Sequence, residues 1–155
     1  METKKYFWCY GTENELLRST GILLFRLVVG TFMLLHGWQK IIDFETLKNI
    51  FPDPLGIGTS TSLYLIIFAE FGCSVLILFG LFTRLSAIPL IIGMSVAAFI
   101  IHADDSFTIK ELPLLYLSSY LLLAFLGSGK FSLDFLLNRL CNKFPEKSPD
   151  SIHKE

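Results

Sequence analysis

The sequence predicts an all-α membrane protein: a bundle of four transmembrane helices, both termini cytoplasmic, followed by a short amphipathic helix at the membrane surface. Three observations support this fold class. Of the 155 residues, 52% are hydrophobic and 17% are charged, whereas a typical soluble domain has about 25% charged residues. Long apolar runs fill most of residues 20–130. The lysine and arginine residues gather on one side of the topology that these runs define.

Four apolar runs are long enough to cross a bilayer, because a helix rises about 1.5 Å per residue and ~30 Å of hydrocarbon needs about 20 residues. They cover residues 20–42, 61–82, 85–102 and 109–127. As core helices of a soluble protein they would leave no polar shell to cover them. The lipid bilayer is therefore the expected partner, and the expected location is the cell (inner or plasma) membrane, as a multi-pass protein.

The connections between the runs carry helix breakers. The loop Phe51-Pro-Asp-Pro-Leu-Gly-Ile-Gly58 follows the first helix. A link of a few residues at 82–84 makes the second and third helices antiparallel neighbours. Pro113 is expected in the first turn of the fourth helix, where its missing N–H costs little. That helix should end at Gly127-Ser-Gly129.

Cationic side chains set the orientation, since cytoplasmic loops carry an excess of Lys and Arg. Nine lie on the side that holds both termini, and three lie on the other side. The nine are Lys4, Lys5, Arg18, Arg84, Lys130, Arg139, Lys143, Lys147 and Lys154; the three are Lys40, Lys48 and Lys110. Both termini are therefore predicted to be cytoplasmic. Arg84 should hold its link on that side and contact lipid phosphate.

The predicted organisation has four parts: a cytoplasmic segment 1–19, the four-helix domain 20–130, an interfacial amphipathic helix 131–144 and a disordered tail 145–155. Apolar residues recur at helical spacing in the third part, with Ser132 as the expected N-cap. The net charge of −1 and pI near 6.3 imply no nucleic-acid surface. The three cysteines form no CxxC pair, so no disulfide framework or zinc site is expected.

Ionisable residues inside the spans are the first functional candidates, because each costs about 2.5–3.5 kcal/mol at the helix centre. Arg26 lies six residues into the first run, and Glu70 lies near the middle of the second. We expect the two to pair. The pair would either fix the helix register or leave Glu70 to act as a proton relay or ligand contact.

A polar pocket is predicted toward the outer face. His36, Lys40, His102 and Glu111 come from three different helices at similar depth. One 80° stripe of the first helix should face the bundle interior (about 100° per residue). It contains Arg26, Gly30, Met33, His36 and Lys40. Because the candidate ligands His36, His102, Glu70 and Glu111 include no pair at the i, i+3 or i+4 spacing of helical metal sites, we expect no metal; haem held by His36 and His102 is an alternative.

Four motifs resemble those of the DoxX family, in order and at its spacing, across residues 18–135. They are Leu35-His-Gly-Trp-Gln-Lys40; the loop at 51–58; Ala69-Glu-Phe-Gly72 with Leu78-Phe-Gly-Leu-Phe-Thr-Arg84; and Gly127-Ser-Gly-Lys-Phe-Ser-Leu-Asp134. The resemblance implies a four-helix membrane bundle. The residues at its motif positions are His36, Lys40, Glu70, Arg84 and Asp134.

The resemblance also implies a link to quinone handling, thiosulfate:quinone oxidation or complexes that counter oxidative stress. No resident cofactor is evident, although a quinone is a candidate ligand near His36, Lys40 or Glu70. The first hypothesis is a quinone-linked subunit of a membrane redox complex, with enzyme activity left open. The alternatives are a non-enzymatic scaffold that docks soluble redox enzymes, and a proton-coupled transporter that uses Arg26 and Glu70 and works as a homo-oligomer.

Overall fold

The computed structural model describes residues 15–143, and every regular element in that range is a helix. Four helices are long and apolar enough to cross a membrane. They are Glu15–Ile42, Thr59–Phe79, Thr83–Ile101 and Phe107–Leu126. The four-helix prediction is confirmed. Residues 1–14 of the predicted N-terminal segment and the predicted tail 145–155 lie outside the described residues.

Helix α1 (Glu15–Ile42) shows how each span divides its surface between protein and lipid. Its buried residues recur at helical spacing and form one stripe. They are Ser19, Ile22, Arg26, Val29, Gly30, Met33 and Gly37. Large apolar side chains, among them Leu24, Val28 and Phe32, are exposed on the outside of the bundle. An apolar outer surface is what lipid requires.

The second and third spans each contain a π-helical segment, in which the chain is wound more loosely than in an α-helix. The second span runs as α3 (Thr59–Ile67), a π segment (Phe68–Cys73) and α4 (Ser74–Phe79). The third runs as α5 (Thr83–Val96) and a second π segment (Ala97–Ile101). Hydropathy does not reveal such segments, and the sequence analysis did not predict them.

Helix α6 (Phe107–Leu126) corrects one prediction. Pro113 lies inside this helix, at its seventh residue, and not in its first turn. The helix starts two residues earlier than predicted, directly after Ser106, whose backbone is extended. Pro113 therefore removes one internal hydrogen bond. The predicted C-terminal stop is confirmed, because Gly127 follows the last helical residue with a positive φ of 76°.

The tight link between the second and third spans comprises residues 80–82. Gly80 (φ 68°) and Phe82 (φ 48°) both have left-handed backbones. Helix α7 (Leu133–Lys143) docks on this link: Phe82 N–H donates to Asp134 Oδ1 over 2.9 Å, and Asp134 N–H donates to Gly80 O over 3.1 Å. The predicted N-cap of α7 is confirmed, since Phe135 N–H donates to Ser132 Oγ.

The bundle pairs α1 with the second span and α5 with α6. A one-turn helix, α2 (Phe44–Leu47), begins the connection from α1 to the second span. The spans bury polar side chains, among them Glu70, Ser74 and Ser119, as well as a hydrophobic core. This core contains Val29, Met33, Ala69, Cys73, Ile77, Ala87, Leu90, Met94, Tyr116, Tyr120 and Leu123. Cys73 is 2% exposed and packs in this core as a small hydrophobic residue.

Candidate functional site: a polar junction between two cavities

The site is built around one ion pair between α1 and the first π segment. Lys40 Nζ donates to Glu70 Oε2 over 2.6 Å, with side-chain exposures of 25% and 5%. The predicted pair between Arg26 and Glu70 is therefore wrong. Lys40 lies at the level of Glu70, whereas Arg26 lies fourteen residues earlier in α1, about 21 Å along the helix axis.

Gly37 explains why α1 comes close enough for this pair to form. A Cβ at Gly37 would lie 2.6 Å from Phe71 N and 2.9 Å from the carbonyl carbon of Glu70. The backbones of α1 and the π segment are thus in direct contact. Glycine is required here by space, since its φ lies outside the left-handed range. The contact lies one turn from Lys40 and brings its ammonium to Glu70.

The two π segments place the other half of the site. Glu70 lies within the first, and His102 directly follows the second. Each loosened turn changes the direction of the side chains that follow it, and such segments are frequent at functional sites. The site therefore depends on local backbone geometry as well as on helix depth.

Two cavities meet at the ion pair. The larger, of about 570 Å³, lies between the second and third spans and under the loop at 51–57. The smaller, of about 160 Å³, lies between α1, the π segments and α6. Both are lined by Lys40, Glu70, Met94, Ala97 and His102. We call this shared region the polar junction.

The larger cavity is apolar apart from the polar junction and Ser62. Its walls include Phe51, Pro52, Pro54, Leu55, Ile57, Leu65, Ile66, Phe68, Ala69, Pro89, Ile92, Val96 and Ile101. Leu65, Phe68 and Ile92 are more than half exposed on the outside of the bundle. The cavity therefore opens on the surface that faces lipid. Its size is within the range of small-molecule sites, about 300–1,000 Å³.

The two histidines of the site come from different parts of the bundle, His36 from α1 and His102 from the end of the third span. His36 lines the smaller cavity and makes an edge-to-face contact with Tyr116, with ring centroids 5.8 Å apart. His102 Nδ1 lies 2.7 Å from Asp105 Oδ2, so Asp105 orients that ring. The smaller cavity thus brings together an ammonium, a carboxylate and two imidazoles, which are groups that general acid–base catalysis uses.

Two predicted pocket residues lie elsewhere. Glu111 is exposed and lines neither cavity at the junction. Arg26 is 1% exposed and donates to the backbone carbonyls of Ser128 (2.5 Å), Phe131 (2.9 Å) and Leu78 (3.4 Å). These hydrogen bonds connect α1 to α4 and to the turn after α6, at the end of the bundle away from the polar junction. The absence of a side chain at Gly80 leaves the space for the guanidinium. The remaining four, His36, Lys40, Glu70 and His102, line one cavity.

Sequence reasoning missed the apolar cavity and its small and aromatic neighbours. Met94, Ala97 and Tyr116 lie inside ordinary apolar runs and gave no signal. The one available signal was the Pro/Gly-rich loop at 51–58, which covers the larger cavity. In residues 15–143, no group of three or more His, Cys, Asp or Glu is arranged to hold a metal ion.

Comparison with known proteins decides the family. The DoxX family model matches residues 21–103, more than half of the chain. The chain belongs to the DoxX family. The match includes Gly37, Lys40, Glu70 and His102, so the polar junction lies inside the family domain. No solved structure matches this DoxX-family chain closely enough to be counted as similar.

Three curated relatives are similar over most of their length. The inner membrane protein YqjF of Escherichia coli is 30% identical over 127 residues, covering 79% of this chain and 96% of the relative. Two uncharacterized proteins of Haemophilus influenzae are 34% identical (74% of this chain, 77% of the relative) and 31% identical (86% and 97%). Together with the four apolar helices, these matches place the DoxX-family chain in the cell membrane as a multi-pass protein.

Proposed function

We propose that this DoxX-family protein binds a lipophilic quinone, as a membrane subunit of a redox complex. The observation that carries the proposal is the position of the Lys40–Glu70 pair, where an apolar cavity open to lipid ends at a polar junction. A quinone likewise has one polar part and one apolar part. Its ring carries polar carbonyl oxygens, and its tail is apolar.

The tail would lie in the larger cavity and the ring at the polar junction. A quinone dissolved in the bilayer can enter between Leu65, Phe68 and Ile92 without crossing water. At the junction Lys40 supplies N–H donors, and Glu70 holds that ammonium in place. A charge-assisted hydrogen bond to a carbonyl oxygen is stronger in this low-dielectric setting than in water.

Quinone reduction takes up electrons and protons in equal numbers. His36, His102, Lys40 and Glu70 can pass protons to the ring oxygens, because all four line the smaller cavity. The electrons would come from a reduced partner enzyme. We therefore assign binding and proton transfer to this chain, and electron supply to the partner.

A titration with a short-tailed ubiquinone analogue tests the proposal on the purified full chain in detergent. We expect saturable binding that Glu70→Gln weakens about tenfold, which corresponds to about 1.4 kcal/mol. His36→Ala should weaken it as well. Glu111→Gln is the matched control, because it makes the same chemical change outside both cavities, and it should bind like wild type. Absence of saturable binding in the folded wild type would refute the proposal and favour the scaffold hypothesis.

A further inference from the structure

A third cavity lies at the opposite end of the bundle from the polar junction. It has a volume of about 500 Å³ and is bordered by the start of α1, the start of α5 and the turn that follows α6. It is lined by Arg18, Ser19, Phe82, Thr83, Arg84, Leu85, Leu126, Gly127, Ser128, Gly129, Lys130 and Asp134. We call it the basic cavity. The proposed quinone site does not use it.

Positive charge is in excess around the basic cavity. Arg18, Arg84 and Lys130 line it, against the single carboxylate of Asp134. Asp134 already accepts the N–H of Phe82. Lys130 is also paired with Glu15, which is largely exposed at the rim. Arg84 makes no salt bridge among the described residues, whereas Arg18 shares the carboxylate of Glu15 with Lys130 through a longer-range electrostatic attraction.

Arg84 is held in position but keeps free donors. Its guanidinium lies against Gly127, where a Cβ would be 3.3 Å from Nε. Among residues 15–143 it makes one hydrogen bond, a long contact of 3.5 Å from Nη2 to Phe125 O. A guanidinium has five N–H donors in a fixed fork that matches phosphate oxygens. Most of the donors of Arg84 thus remain available to an anion.

Thr83 supplies an independent observation at the same place. It lines the basic cavity and is 1% exposed, yet its hydroxyl has no hydrogen-bond partner within the described part of the chain. Thr83 is also the first residue of α5. The amides of a first helical turn lack intrahelical acceptors, and their dipoles favour negative charge. A buried hydroxyl without a partner destabilises the fold unless a ligand satisfies it.

The surroundings of the basic cavity indicate an anion with an apolar tail. Phe82, Leu85 and Leu126 line it and are 59%, 65% and 43% exposed, so its rim continues into the lipid-facing surface of the bundle. We propose that the basic cavity binds the phosphate group of an anionic phospholipid. Arg84 and Arg18 hold the phosphate oxygens, and the acyl chains run along Leu85 and Leu126. Basic pockets between transmembrane helices bind the headgroups of anionic lipids in this way.

Native mass spectrometry of the full chain in uncharged detergent tests this proposal. Phosphatidylglycerol and phosphatidylcholine with identical acyl chains are added separately, and the bound fraction is measured. We expect wild type to retain phosphatidylglycerol several-fold better than phosphatidylcholine. Arg84→Gln should reduce phosphatidylglycerol retention about fivefold, as expected for one cation near a headgroup. Arg139→Gln is the matched control, because Arg139 is exposed on α7 outside the cavity, and it should change retention less than twofold.

Other outcomes would overturn the proposal. Equal retention of the two lipids by wild type would exclude a headgroup site, and an equal loss in Arg139→Gln would indicate diffuse attraction to anionic lipid. Displacement of the lipid by inorganic phosphate at equal concentration would show that the basic cavity binds free anions and not a lipid headgroup. Lys130→Gln provides a second test of the cavity if Arg84→Gln fails to fold, and it should lower retention in the same direction.

Discussion

Lys40 Nζ and Glu70 Oε2 lie 2.6 Å apart at the point where a lipid-facing apolar cavity meets a smaller polar one. The two partners differ in burial, since the lysine side chain is 25% exposed and the glutamate 5%. The residue that remains after removal of its partner therefore differs in its access to water. An unpaired lysine can still reach water, whereas an unpaired glutamate stays enclosed by protein.

Lys40→Met should accordingly destabilise the fold more than Glu70→Gln. Loss of one partner from a buried ion pair costs about 3–5 kcal/mol when the remaining charge is enclosed, and we expect Lys40→Met to approach that range. Glu70→Gln should cost about 1–2 kcal/mol, because the ammonium is partly hydrated. Unfolding by dodecyl sulfate in mixed micelles measures both. A larger loss of unfolding free energy in Glu70→Gln than in Lys40→Met would contradict the conclusion that Glu70 is the more deeply buried partner.

Gly37→Ala should separate α1 from the first π segment. The added Cβ would lie 2.6 Å from Phe71 N, so a backbone must move, at a cost of about 1–3 kcal/mol. Gly21→Ala is the matched control in the same helix, because nothing lies within 4 Å of that Cβ. It should be neutral or stabilising by up to about 1 kcal/mol. Equal effects of the two substitutions would show that the close contact is unimportant for stability.

Hydropathy and the scarcity of charge were sufficient to predict the four spans, because the bilayer imposes a minimum length on any apolar helix that crosses it. Helical spacing, at about 100° per residue, also placed Arg26, Gly30 and Met33 on the buried face of α1. The error at Pro113 arose because helix starts depend on local backbone geometry, and Ser106 begins α6 without a side-chain cap. Helix boundaries are accordingly the least predictable part of the fold.

The site was only partly predictable. Depth along the spans was enough to group His36, Lys40 and His102, which line one cavity with Glu70. The pairing was predicted wrongly because Arg26 was placed at the depth of Glu70, whereas it lies about 21 Å along α1 from Lys40, the residue that pairs with Glu70. The sequence analysis expected Arg26 to pair with a carboxylate. In the structure the guanidinium instead donates to the backbone carbonyls of Leu78, Ser128 and Phe131, which are distant in sequence and which hydropathy cannot identify.

Arg26→Leu should impair folding without altering the quinone site. The substitution leaves the carbonyls of Leu78, Ser128 and Phe131 without their donor, at about 1–3 kcal/mol for each buried group. We expect a loss of at least about 3 kcal/mol in the unfolding assay. Arg139→Leu, on exposed α7, should stay within about 0.5 kcal/mol of wild type. Weakened quinone affinity in the folded fraction of Arg26→Leu would favour the transporter hypothesis, in which Arg26 acts at the site.

Asp53 should make the loop over the larger cavity sensitive to acid. Hydrogen bonds from the Ser62 hydroxyl (2.8 Å) and from the N–H groups of Gly58 (2.7 Å) and Ile57 (3.1 Å) lower the pKa of Asp53 below its usual 3.8. Because the pKa of Asp53 is lower in the folded state than in the unfolded state, its hydrogen bonds stabilise the folded loop fully above pH 3.8. This contribution is lost as the pH falls through the lowered pKa of the folded state. Amide protection at Ile57 and Gly58, corrected for intrinsic exchange, should therefore fall in that acid range.

Asp53→Ala should remove the same protection at neutral pH, because the side-chain acceptors are gone. Asp104→Ala is the control, since Asp104 is exposed and lines neither of the cavities at the polar junction, and it should leave the loop unchanged. A loop that is equally protected in wild type and Asp53→Ala would show that Asp53 does not hold it.

The most direct test of the central claim is photolabelling of the membrane-embedded protein with a photoreactive quinone, followed by peptide mapping. The account predicts that labels concentrate in residues 51–57, 62–70 and 89–102, which line the larger cavity. An excess of unreactive quinone should remove these labels, and Glu70→Gln should reduce them. Labels spread over the exposed face of α6, or unaffected by competing quinone, would contradict a quinone site at the polar junction.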